Sequence, residues 1–319
     1  VRSVVPVDRW PPGGRKRHQR MRGRVVRHVH DPPVGREGGA VRPDRFAAVA
    51  PSAGWISMST YAGARGLESD HPLAALLGRA TAPSDTLTLA PNLAGLGVYV
   101  LHGDVDDNVP VAQARRMREA LARFHPDFVY EERPGAGHWW GNECCDWPPL
   151  MEFLRRHERP QPSAVRSVDF VTASPSVSAR RDWATVETQL KPFNFSEVHL
   201  TKDPRRGEIQ GTTVNVGRLA LNLGVFGSSV DFKVTLDGQA LTVPSAEVKV
   251  KDAESRVWFR REPNGWRRIE PPPADLKHPA RQGPFKEAFR NRMLFVYGTT
   301  GTAEETRANL ARARFDAER

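Results

Sequence analysis

A chain of 319 residues, 39% of them apolar and 26% charged, has room for two or three domains with buried cores. It has no run of about 18 apolar residues and no apolar h-region in its first residues, so neither a transmembrane helix nor a signal peptide is expected. The net charge of +10 raises nucleic acid as a partner, but residues 1–42 hold eleven Lys+Arg against three Asp+Glu, while the remainder balances 36 basic with 34 acidic residues; no nucleic-acid partner is expected.

Residues 1–41 read unlike the rest. Pro11-Pro12-Gly13-Gly14, Arg15-Lys16-Arg17, Pro32-Pro33 and Gly38-Gly39 break any helical period, and the segment is expected to be a disordered basic stretch. Text rich in Arg, Pro and Gly is what out-of-frame translation of GC-rich DNA gives. A shifted frame, a mis-assigned start or a decayed gene is the expectation here, with a basic tail as the plainer alternative. The pair His28 and His30 has strand spacing but no third ligand, so it is read as incidental.

From residue 42 to 158 the elements alternate as in an α/β domain. Phe46 to Ala50 reads as a buried strand, residues 52–97 as a looser insertion that helps build a pocket, and Val98-Tyr99-Val100-Leu101 as a second strand. Pro110 suits a first helical turn, with Ala114, Met117, Leu121 and Phe124 recurring at near-helical spacing. Phe128-Val129-Tyr130 is the next strand. Trp147 to His157 is a closing helix with Leu150, Phe153 and Leu154 on one face.

Arg159-Pro160-Gln161-Pro162-Ser163 reads as a linker. Beyond it the period changes to short β-branched runs: Val198–Leu200, Ile209–Val216, Leu219–Leu223, Val230–Leu236, Leu241–Val243 and Val257–Phe259. Turns at Asp237-Gly238 and Asn264-Gly265 separate some of them. Residues 165–270 are therefore expected to form a β-sandwich-like accessory domain. Residues 280–319 read as a truncated β-α segment: Met293–Tyr297 as a strand, Gly298-Thr299-Thr300-Gly301 as the turn, and Thr302 and Glu305 at capping-box spacing. That turn lacks the lysine and spacing of a phosphate loop.

The chemistry gathers in two loops. Leu101-His102-Gly103-Asp104-Val105-Asp106-Asp107-Asn108-Val109-Pro110 puts acids after one strand, and Pro134-Gly135-Ala136-Gly137-His138-Trp139-Trp140 puts a glycine-flanked histidine after the next. An acid that orients an imidazole is what proton abstraction from a hydroxyl requires. The two loops, with Pro43-Asp44-Arg45-Phe46-Ala47-Ala48-Val49-Ala50-Pro51, resemble the prolyl oligopeptidase family of serine hydrolases over about residues 42–158. The resemblance implies the C-terminal part of an α/β-hydrolase domain, with Asp106 as triad acid and His138 as general base. Trp139 and Trp140 would line the substrate pocket, or else cover the sheet end. Asp104 is expected to face water or an arginine, and Asp107 to cap the helix near Pro110.

The nucleophile is missing. In this fold the order is serine, acid, histidine, with the serine in a G-x-S-x-G turn, and no such pentapeptide occurs. Ser3 lacks flanking glycines; Ser52, Ser57 and Ser59 follow the strand that should come after the turn; Ser228 and Ser229 lie in the β-rich part. Cys144 and Cys145 come after the histidine. As neighbours they rarely form a disulfide and make a poor zinc site, so no metal or cofactor is expected. Glu143 and Asp146 are read as solvated, and Arg260-Arg261 with Trp266-Arg267-Arg268 as a basic hairpin open to an anionic surface. The expectation is a serine hydrolase acting on a peptide or ester through an acyl-enzyme, inactive as this chain stands. A carbohydrate esterase and a non-catalytic binding protein are the alternatives. Compartment and oligomeric state stay open.

Overall fold

The computed structural model describes residues 26–29, 36–61, 71–144, 146–226, 231–248, 255–282 and 296–317. Four parallel strands form the first sheet, in the order β1 (Val26–Val29), β2 (Ala48–Pro51), β3 (Gly97–Gly103) and β4 (Phe128–Arg133). Side chains of a strand alternate between faces, and here each face meets its own helix. Val49, Val98 and Val100 pack with Ala114, Met117 and Leu121 of α4 (Ala112–Leu121). Ala48, Ala50, Tyr99 and Leu101 pack with Leu150, Phe153 and Leu154 of α5 (Pro148–Arg156). Burial on both faces explains why β2 and β3 read as unbroken apolar runs.

Two short elements differ from the expected disorder of residues 1–41. Strand β1 pairs with β2 in register Val26↔Ala48 to Val29↔Pro51, and helix α1 spans Arg36–Val41. The β-branched run Val25-Val26 with Val29 supplies strand propensity that the surrounding arginines mask. His28 lies opposite Ala50; His30, and residues 1–25 and 30–35 generally, lie outside the described residues. Between β2 and β3 the chain forms two further helices, α2 (Met58–Tyr61) and α3 (Pro72–Thr81). A stretch after α3 then delivers Leu89, Ala90, Leu93 and Leu96 to the core under the sheet.

The second part of the chain holds two five-stranded, mostly antiparallel sheets. One has the order β14 (Gly265–Ile269), β13 (Arg256–Glu262), β10 (Val216–Asn222), β7 (Ala184–Gln189), β6 (Arg180–Arg181). The other runs β12 (Gln239–Val243), β11 (Phe232–Leu236), β9 (Glu208–Val214), β8 (Ser196–Asp203), β5 (Ser167–Thr172), with β11 and β9 parallel. Phe170, Val198, Leu200, Phe232 and Val234 of one sheet share a single cluster with Val186, Leu219, Leu221 and Phe259 of the other, closed by Trp183 and Trp266. The expected turn at Asp237-Gly238 joins β11 to β12 with φ of 51° and 85°, the left-handed pair that a tight two-residue hairpin demands.

The two parts meet along a polar seam. Buried Asn92 donates to the carbonyls of Ala40 and Val171 and accepts from the Val171 amide, while Arg181 donates to the carbonyls of Asn92 and Asp169. Arg180 pairs with Asp44 at 3.0 Å. Toward the C-terminus, helix α6 (Ala303–Ala317) opens on the expected capping box: Glu305 Oε2 accepts from the Thr302 amide at 2.7 Å and Thr302 Oγ1 from the Glu305 amide at 3.2 Å. The strand expected over Met293–Tyr297 lies outside the described residues as far as Phe295; Val296 and Tyr297 are irregular, and Val296 is 94% exposed. Among the described residues no helix is long and apolar enough to cross a membrane.

Candidate functional site

The acid loop leaves the carboxyl end of β3 and the histidine loop leaves that of its neighbour β4, the edge where functional loops of a parallel sheet gather. They touch backbone to backbone. A Cβ added at Gly103 would stand 2.2 Å from the Ala136 carbonyl oxygen and 2.5 Å from that of Gly137, so only glycine admits the approach. The Val105 amide donates to Ala136 O at 3.1 Å, and the Asp104 amide to Arg133 O at 3.1 Å.

This contact brings Asp106 and His138 together. His138 Nδ1 lies 3.0 Å from Asp106 Oδ2 and 3.1 Å from Oδ1. Both neighbours are acceptors, so the proton of the neutral ring belongs on Nδ1 and the lone pair on Nε2. The Asp106 side chain is fully buried, while that of His138 keeps 26% exposure. Asp106 Oδ1 also accepts the amides of Asn108 at 3.0 Å and Val109 at 2.7 Å. His102, fully buried at the end of β3, places Nε2 3.2 Å from Asp106 Oδ2. An imidazole so oriented can take a proton from a hydroxyl set before Nε2 and return it to a leaving group.

Two neighbouring acids depart from expectation. Asp104 faces neither water alone nor an arginine: its Oδ1 accepts the Gly135 amide at 2.6 Å and ties the histidine loop to the acid loop. Asp107 is exposed, and helix α4 starts at Ala112 after the N-cap residue Val111 with no side-chain cap; the carboxylate that collects the loop amides is Asp106. The short loop places Asp106 over Asn108 and Val109 before the helix begins, which leaves Asp107 pointing outward.

The two tryptophans part company. Trp139 is 59% exposed beside the base. Trp140 turns into packing: its ring lies edge-on to Trp147 at 6.3 Å, with the Arg133 guanidinium 5.6 Å from its centroid and 4.8 Å from that of Trp147. The chain after β2 is tied to the acid loop and α4. Trp55 stacks on Tyr61, whose hydroxyl donates to Asn108 Oδ1 at 2.7 Å, while Gln113 Oε1 accepts from the Ile56 amide and the Thr60 hydroxyl. Composition alone gave no sign that Gln113 and Asn108 serve as these anchors.

Other candidates settle into structural roles. Ser52 follows β2 directly, bridged to Leu101, with its hydroxyl buried. Cys144 is buried with Sγ against the Gly141 carbonyl, and Cys145 lies outside the described residues, as do Ser228 and Ser229. Among the described residues no hydroxyl or thiol hydrogen-bonds His138. Glu143 pairs with Arg133 at 3.4 Å in solvent, and Asp146 is exposed. Each arginine of the basic hairpin has an acidic partner: Arg260 and Arg267 share Glu262, Arg261 pairs with Asp237, and Arg268 with Glu247. Among the described residues no group of three or more His, Cys, Asp or Glu is placed to hold a metal ion.

No family model matches the chain. It is 26% identical over 279 residues to a protein of Arthroderma benhamiae named "Uncharacterized secreted protein", an alignment covering 83% of this chain. The chain spans 28% of the length of that relative.

Proposed function

We propose that the parallel-sheet part of this chain is the acid–base half of a serine hydrolase of prolyl oligopeptidase type. It would cleave a peptide or carboxylic ester through an acyl-enzyme, with the antiparallel sheets as a sandwich-like accessory domain. The observation that carries this is the 3.0 Å contact between Asp106 and His138 Nδ1, made from loops after adjacent parallel strands. In the proposed chemistry His138 Nε2 accepts the serine proton, Asp106 holds the tautomer and stabilises the imidazolium, and backbone amides stabilise the oxyanion.

The strand order β1-β2-β3-β4 supports this reading, because it puts one strand ahead of β2 where the resemblance calls for a nucleophile strand. In the sequence, the residues between β1 and α1 are His30-Asp31-Pro32-Pro33-Val34-Gly35, with no Ser, Thr or Cys. The chain is therefore proposed to be inactive, since triad members act as a unit and little remains without the hydroxyl. The same lack favours a second reading, a binding protein on a hydrolase scaffold. The Arthroderma relative is named a secreted protein, which is in keeping with secretion of this one.

The test is labelling of the purified chain by a fluorophosphonate probe. No labelling is expected, and stoichiometric labelling abolished by His138→Ala would overturn the inactivity. A chain given a Gly-x-Ser-x-Gly turn over residues 31–35 is expected to gain labelling and hydrolysis that depend on His138. Comparison of acyl esters with proline peptides on that chain separates esterase from peptidase.

A further inference from the structure

We propose that His102 is a positioning residue for the acid–base pair, holding the Asp106 carboxylate in the plane from which it meets His138; the inference rests on the reading of that pair given above. His102 is 0% exposed and closes β3, one residue before the glycine at which the two loops touch. Two acceptors converge on its Nε2, the Val109 carbonyl at 2.8 Å and Asp106 Oδ2 at 3.2 Å. Neither a carbonyl nor a carboxylate donates, so the Nε2 position carries the proton and shares it between them.

The Val109 amide in turn donates to Asp106 Oδ1 at 2.7 Å. His102 Nε2 thus donates to the Val109 carbonyl and stands 3.2 Å from Asp106 Oδ2, while Oδ1 is held by the Asn108 and Val109 amides, so each carboxylate oxygen has its own neighbours. That matters because the terminal torsion of an aspartate is soft and roughly two-fold, so a carboxylate held by backbone amides on one oxygen alone can swing. Its two oxygens lie 3.0 and 3.1 Å from His138 Nδ1, a geometry that a swing would lose. A histidine kept only to fill space would contribute packing and leave the His138 tautomer untouched. The pin and the filler therefore differ in one observable.

That observable is the tautomer of His138, read from nitrogen-15 spectra of the full chain labelled at histidine. Spectra are taken at about pH 9, well above an ordinary imidazole pKa, and His138 is assigned by its loss in His138→Gln. Wild-type protein is expected to show His138 as a single Nδ1–H form and His102 as Nε2–H. In His102→Leu the two His138 nitrogen signals move toward one another as the tautomers mix. In His102→Gln the side-chain amide replaces the donor and restores the wild-type separation. A folded His102→Leu with unchanged His138 signals overturns the proposal. If that variant does not fold, wild-type His102 found as Nδ1–H overturns it alone. His138 found as Nε2–H in the wild type defeats the acid–base reading itself, and the proposal with it.

Discussion

Asn92 joins the two parts of the chain, and replacing it with leucine gives a loss that can be worked out bond by bond. The side chain is 0% exposed. Its Nδ2 donates to Ala40 O at 2.6 Å and Val171 O at 2.7 Å, and its Oδ1 accepts the Val171 amide at 2.7 Å. Leucine has a similar volume and satisfies none of these groups. A buried backbone group left without a partner costs about 1–3 kcal/mol, so Asn92→Leu should cost about 3–6 kcal/mol once the added apolar burial is allowed for. Against a typical stability of about 5–15 kcal/mol that is a large fraction.

The assay is hydrogen exchange at the Val171 amide, which loses its acceptor directly. At about 1.4 kcal/mol per factor of ten, even the lower bound predicts protection falling about a hundredfold. The loss should be concentrated at the seam, because β3 and β10 keep their own ladders. Val171 exchange within about threefold of wild type, in a protein whose β3 and β10 amides stay protected, would refute the reasoning. It would mean that the seam relaxes around leucine or that water replaces the lost partner.

Gly103→Ala should separate the acid and histidine loops, since its Cβ would lie 2.2 Å from a backbone oxygen that cannot rotate away; loss of the His138 Nδ1–H signal is the readout, and a retained signal counts against the proposed contact. Lys202 is 7% exposed, donates to Ser163 O at 3.1 Å and lies 3.9 Å from the Phe226 ring centroid. Burial, aided by Arg166 and opposed by Asp182, pushes its pKa down from 10.5 to about 8. The unfolded chain then binds the extra proton between these values, so stability should rise with pH across that window, with the burial cost fully present below it. Lys202→Met should flatten the rise; urea midpoints at several pH values through the window measure it, and equal slopes in both proteins would go against the account.

Elements whose signal is local were legible in the sequence. The apolar run of β3, the spacing of Ala114, Met117 and Leu121, and the Thr302–Glu305 cap need no distant partner to be recognised. Where a distant partner decides, the sequence is silent. Ile209 to Val216 reads as one run, yet it breaks at Asn215, whose φ of 54° sends β9 and β10 into different sheets. Asparagine tolerates that conformation, and its side chain stabilises it by binding the Lys191 amide and the carbonyls of Lys191 and Asn194. β1 was hidden because its pairing edge lies on β2 and its flanks are arginine-rich. Asp104 was misread because its acceptor role depends on an amide 31 positions away.

The contacts around Asp106 and His138 bear on whether the pair depends on residues that precede β2. The groups that hold Asp106 and His138 are His102, Gly103, Asp104, Asn108, Val109, Gly135 and Ala136, all from the two loops themselves. Among the described residues no contact to the pair comes from before β2. Strand β1 joins the sheet at its edge, with β2 between it and β3. Among the described residues the pair is therefore held by its own two loops, with nothing contributed by β1 or α1. On the proposed hydrolase reading, a hydroxyl introduced after β1 needs a base whose tautomer is already set, so the chain carrying Gly-x-Ser-x-Gly over residues 31–35 tests that reading directly.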